Sequence, residues 1–84
     1  MDLYHVYILK ILIDGSYYID FSKDIRRRLN EHNSGKSQFT RRKIPWELVY
    51  SENFYSKTEA LKREKFLKAQ RNHDFYERLI RNKF

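Results

Sequence analysis

The chain has 84 residues and no cysteine, so it has room for one small core, and disulfides, thiolate catalysis and Cys-based zinc sites are excluded. Eighteen Lys and Arg against eleven Asp and Glu leave a formal charge of +7, a surplus that draws polyanions, nucleic acid first among them. Aromatic residues reach 17% and must fill much of the interior, and no apolar run is long enough for a transmembrane helix or a signal peptide. The expectation is a soluble cytoplasmic protein with no membrane association, residues 1–84 forming one domain and a monomer as the default oligomeric state.

Leu3 to Ile13 carries Val6, Ile8, Ile11 and Ile13, apolar on both faces, and predicts a strand covered on both sides. Asp14-Gly15 is a two-residue hairpin signal that would return Ser16 to Asp20 as an antiparallel partner. If Ile13 opposes Ser16, then Ile11 opposes Tyr18 and Leu9 opposes Asp20, and Tyr7, Tyr18 and Asp20 share one face. A helix is expected from Ser22 or Lys23, with Ser22 as N-cap and Asp24 near its positive end, stopping at Asn33-Ser34-Gly35.

Residues 34 to 45 read as a basic loop ending in Pro45, and Trp46 to Tyr50 as a third strand. Ser56-Lys57-Thr58-Glu59 is a capping box opening a helix to about Gln70. Phe75, Tyr76, Leu79 and Ile80 fall at helical spacing and predict a third helix to about Lys83. The resulting order, ββαβαα, describes an α+β fold: a three-stranded, mostly antiparallel sheet with helices packed on it.

A helical wheel puts Ile25 and Leu29 on one stripe of the first helix, flanked by Arg28 and His32, with Arg26 and Arg27 facing solvent. Arg28 and His32 are four apart and therefore neighbours. On the second helix Ala60, Leu61 and Leu67 define an apolar arc with Glu64 inside it, and a carboxylate there is costly unless paired: it is salt-bridged or simply peripheral, or it holds a cation. Tyr7 and Tyr18 suit either a core with hydrogen-bonded hydroxyls or a phosphate site. Arg28 is an ion-pair partner or a phosphate ligand, and His32 a charge at a helix end or a catalytic group. In the loop, Lys36, Arg41, Arg42 and Lys43 would contact phosphates and Phe39 would stack on a base, unless the run is only solvated charge.

Taken together, "HVYIL" around Tyr7, "YYID" around Tyr18, Arg28 in "DIRRRLNEHNSGK" and Glu64 in "SKTEALKREKFLK" resemble the GIY-YIG nuclease family. The likeness is to its small single-domain members and to the endonuclease domain found in the excision-repair machinery. It implies phosphodiester hydrolysis in DNA, with RNA as the other candidate, serving repair or processing. It also implies one Mg²⁺ or Mn²⁺ held by Glu64, and no other cofactor. By the same resemblance Tyr7 helps activate the attacking water, Tyr18 contacts phosphate or water, Arg28 stabilises phosphate charge and His32 supports the tyrosine base. No recognition element is left over, so cleavage should be structure-selective or weakly selective.

Two motif glycines are replaced, by His5 and by Asp20. Asp20 would repel the phosphate, join the cation ligands, or pair with Arg28 or a lysine, and weakened activity is the expectation. The alternative is a catalytically silent nucleic-acid-binding module. A third reading has Phe75 and Phe84 docking a partner.

Overall fold

The segment that is apolar on both faces takes the centre of the sheet. A computed structural model describes residues 3–35 and 44–82. Lys36, Phe39, Arg41, Arg42, Lys43 and Phe84 lie outside the described residues. The elements run β1 (Tyr4–Ile11), β2 (Tyr17–Ser22), α1 (Ile25–Asn33), β3 (Trp46–Phe54), α2 (Lys57–Gln70) and α3 (His73–Arg81). The three strands form an antiparallel sheet in the order β2-β1-β3, giving the expected ββαβαα, α+β architecture.

The hairpin register differs from the expected one by two residues. Tyr7 opposes Asp20, Ile8 opposes Ile19 and Leu9 opposes Tyr18. The strand ends at Ile11, whose N–H donates to Ser16 O at 2.9 Å while Gly15 N–H donates back to Ile11 O at 2.9 Å. Leu12 and Ile13 therefore belong to the loop and are 57% and 72% exposed. A two-residue type I′ turn needs positive φ at both central positions, and among Leu12 to Gly15 only Gly15 has it, at 76°. Because the side-chain period is two, a shift of two preserves faces, and Tyr7, Tyr18 and Asp20 stay on the same side.

The first helix is capped by Asp24, which accepts from Arg27 N at 3.0 Å, and Ser22 is not its N-cap. Ser22 instead shapes the approach, its hydroxyl accepting from Asp24 N at 3.0 Å. The stop after Asn33 is as expected, with Gly35 at φ 82°. Asn33 adds an unexpected clamp: its amide donates to Trp46 O at 3.0 Å and accepts from Trp46 N at 2.6 Å, tying the end of α1 to the start of β3. At the head of α2 Ser56 is the N-cap, as expected, its hydroxyl accepting from Glu59 N at 3.4 Å.

Both faces of the sheet are covered. Val6, Ile8 and Ile19 pack with Tyr50 of β3, Ala60 and Leu67 of α2 and Tyr76 of α3. On the other side Tyr7, Leu9, Ile11 and Trp46 pack under Ile25 and Leu29 of α1. Strand β3 serves both layers because its register slips by one residue opposite Ile8 and Leu9: Ile8 faces Tyr50, but Leu9 faces Leu48 and Ile11 faces Trp46. Strict alternation would put Trp46, Leu48 and Tyr50 on one face; the bulge at Val49 sends Trp46 to the α1 side.

Leu61, expected in the core arc of α2, is 39% exposed, because Ala60 and Leu67 alone fill the contact. Phe75 is half-buried, its ring 6.3 Å from Phe66 and 5.8 Å from Tyr76. The turn between α2 and α3 passes through Arg71 in the left-handed region at φ 45°. Tyr76 holds it there, donating to Leu67 O at 2.6 Å and accepting from Arg71 N at 3.3 Å.

Candidate active site

Four elements meet at the side chain of Asp20. β1 supplies Tyr7, β2 supplies Tyr18 and Asp20, α1 supplies Arg28 and His32, and α2 supplies Glu64. Arg28 Nη2 donates to Asp20 Oδ2 at 3.0 Å, and the Tyr7 hydroxyl makes a longer 3.5 Å contact to the same oxygen. The other oxygen, Oδ1, accepts from Phe21 N at 2.8 Å, which fixes the carboxylate's orientation. Arg28 Nη1 reaches Glu31 Oε1 at 3.3 Å, so its two terminal nitrogens serve two carboxylates.

Of the three fates open to Asp20, the ion pair with Arg28 forms. The pair is shielded, with side-chain exposures of 30% for Arg28 and 17% for Asp20. Asp20 hydrogen-bonding holds the Arg28 guanidinium still more firmly protonated than usual. Arg26 and Arg27 are exposed, as the wheel placed them.

Tyr7 is fully buried, and burial followed by the Asp20 charge pushes its hydroxyl well above the ordinary phenol value. Tyr18 is raised by the same two causes in the same order. In this arrangement both tyrosines are hydrogen-bond donors at neutral pH, not phenolates.

His32 is fully buried rather than standing at a solvated helix end. Its ring meets Tyr18 edge-on with centroids 5.1 Å apart, and Trp46, 6.5 Å from the imidazole and 5.7 Å from Tyr18, completes a three-ring cluster. Burial, then the Arg28 charge, lowers its pKa, so the imidazole is held neutral and the dipole-capping reading fails.

Glu64 lies on the stripe of α2 between buried Ala60 and Leu67, with its side chain 13% exposed. Burial raises its carboxyl; Lys68, 3.7 Å away, pulls it down, and the neighbouring Asp20 carboxylate raises it further. Glu64 and Asp20 thus put two hard oxygen donors side by side. Among the described residues no cluster of three or more His, Asp or Glu forms a metal cage. The donor set fits Mg²⁺, which is bound through one or two carboxylates together with waters and substrate phosphate.

Comparison with known proteins places the chain in a family. The family model for the GIY-YIG catalytic domain matches residues 3–78. The chain belongs to the GIY-YIG family. It is 46% identical over 68 residues to a UPF0213 protein of Streptococcus pneumoniae serotype 4, covering 80% of this chain and 68% of that one. A UPF0213 protein of Staphylococcus saprophyticus is 45% identical over 70 residues, 82% of this chain and 84% of its own. The solution structure of a UPF0213 protein from Bacillus halodurans superimposes with a TM-score of 0.61 at 36% identity, covering 96% of this chain and 85% of that one.

Membership in the GIY-YIG family points to a nuclease and to nucleic acid as partner. No helix among the described residues is long and apolar enough to cross a membrane. Sequence reasoning missed three contributors around the candidate site: Glu31, which shares Arg28; Lys68, which faces Glu64; and Trp46, whose ring stands beside His32. Glu31 was legible three residues from Arg28 and Lys68 four from Glu64, at helical contact spacing. Trp46 needed the β3 bulge, which nothing in the sequence announced.

Proposed function

We propose that this GIY-YIG protein is a metal-dependent endonuclease that hydrolyses phosphodiester bonds in DNA, in repair or processing, with structural rather than sequence selectivity. One observation carries the reading: an arginine and a tyrosine hydroxyl aim at a single anionic oxygen beside the half-buried Glu64. A scissile phosphate in that position would take a charge-assisted hydrogen bond from Arg28 and a neutral one from Tyr7. Buried His32 fixes Tyr18 by edge-on packing, so the second tyrosine presents one orientation. Glu64, with Asp20 beside it, would hold Mg²⁺ or Mn²⁺. When bound, the cation supplies charge stabilisation at the phosphoryl group and an acidified water.

Nicking of supercoiled and branched DNA with Mg²⁺ or Mn²⁺ tests this, comparing the parent chain with Glu64→Ala. The expected result is cation-dependent scission that falls by at least about 10²-fold in the variant. Scission untouched by Glu64→Ala would refute the assignment. The Asp20–Arg28 ion pair favours a second reading, a binding module that retains the scaffold without turnover. DNA binding by the parent with no scission under any cation would select it.

A further inference from the structure

Both donors of the proposed phosphate position already have an anion. Tyr7 Oη and Arg28 Nη2 converge on Asp20 Oδ2 at 3.5 and 3.0 Å. A carboxylate oxygen offers the charge and acceptor geometry of a non-bridging phosphate oxygen, which is why arginine takes either. The family's motif has glycine at this position; here the side chain reaches from the strand into the seat its neighbours form. Asp20 is also held from behind by Phe21 N at 2.8 Å, so its Oδ2 is aimed, not wandering.

We propose that Asp20 is an internal phosphate mimic, which an incoming phosphodiester must displace from Arg28 and Tyr7. The proposal rests on reading these groups as a phosphate seat and applies equally to an endonuclease and to a silent binding module. Displacement has a direction. Glu31 retains its own contact to Arg28 Nη1, so the guanidinium remains tethered to α1 when Oδ2 leaves. On the side of Glu64, an unpaired Asp20 carboxylate meets like charge, which opposes its departure. A carboxylate in the seat therefore lowers affinity for every substrate by a common factor, and it does so through Arg28. That dependence separates a mimic from a negative charge that merely repels DNA.

The test is a double-mutant cycle on binding, with chelator present so that no strand is cut. A fluorescent branched DNA is titrated at low salt against the parent, Asp20→Asn, Arg28→Gln and the double variant, each checked for folding by circular dichroism. Asn keeps the acceptor for Phe21 N–H and removes the charge. Asp20→Asn is expected to tighten binding about tenfold in the parent and less than about twofold with Arg28→Gln. Equal tightening in both backgrounds would reduce Asp20 to simple repulsion and overturn the proposal; so would no tightening. No DNA binding by any variant would overturn the phosphate seat itself, and with it the proposed function. Should Arg28→Gln fail to fold, the Nε–Hε resonance of Arg28 decides. It should move on Asp20→Asn and move again when DNA is added to the parent, and a resonance indifferent to DNA would sink the idea.

Discussion

Among the described residues a tyrosine–carboxylate–arginine group is built twice, once on each side of the sheet, and the two differ in how the arginine is held. In Tyr50–Glu52–Arg63, the guanidinium grips both oxygens of one carboxylate, Nε to Oε1 at 2.8 Å and Nη2 to Oε2 at 2.9 Å, and the Tyr50 hydroxyl closes on Oε2. In Tyr7–Asp20–Arg28, each terminal nitrogen of the arginine holds a different carboxylate by one bond. The forked pair joins β3 to α2 and is a strut. The split pair sits beside Glu64 and His32 and can exchange one partner without losing the other. Residue types alone do not make a site; the number of bonds that must break to release one carboxylate, two at Arg63 but one at Arg28, separates them.

Swapping the same substitution between the two arginines gives the largest contrast. Arg28→Ala is expected to lower scission about 10²–10³-fold with little loss of stability, since it removes the donor that the proposed phosphate would meet. Arg63→Ala is expected to leave scission near the parent level and cost about 2 kcal/mol in urea unfolding, because Glu52 loses both charged bonds. If both variants lose activity in proportion to stability, the distinction between strut and site collapses.

The tyrosines sharpen it at smaller amplitude. Burial and then Glu52 push the Tyr50 hydroxyl up to about 12, so it is a donor throughout the working range. Tyr50→Phe should cost about 1 kcal/mol. Tyr7→Phe gives up only a 3.5 Å contact and should cost less in stability, while lowering the scission rate. Urea midpoints and initial nicking rates measured on the same preparations would reveal the opposite ordering if it holds.

The smallest expected effect concerns pH. Burial and Arg28 depress His32, so below about pH 6.5 the unfolded chain takes up a proton that the folded chain refuses. His32 therefore leaves stability unchanged above that pH and lowers it as the pH falls further, until the folded imidazole itself titrates. The difference between His32→Gln and the parent, followed by thermal melts at pH 7 and 5.5, should show a shallower acid slope in the variant. Identical slopes would mean that His32 is not held neutral.

Much of the site was legible because parity is robust. The hairpin slipped by two residues, yet Tyr7, Tyr18 and Asp20 kept a common face, and the wheel of α1 had already set Arg28 and His32 beside it. What sequence could not decide was competition. Ser22 and Asp24 both look like N-caps, and Asp24 prevails because its carboxylate reaches Arg27 N while Ser22 Oγ is occupied by Asp24 N. Asp20 had several cationic suitors, and only the fold sets Arg28 at 3.0 Å. The strut was partly readable: Tyr50 and Glu52 are two apart on a strand and share a face, but nothing local pointed to Arg63. The Asn33 clamp was hidden because asparagine at a helix end reads simply as a stop signal.

That clamp also has a consequence for how the layers can move against each other. Asn33 and Trp46 are bonded in both directions, so the end of α1 cannot slide over the sheet without breaking two bonds at the first residue of β3. The helix that carries Arg28 and His32 is thereby moored to both outer strands, to β2 by the short link through Asp24 and to β3 by the Asn33 amide, and its side chains are presented over the central strand as one rigid unit.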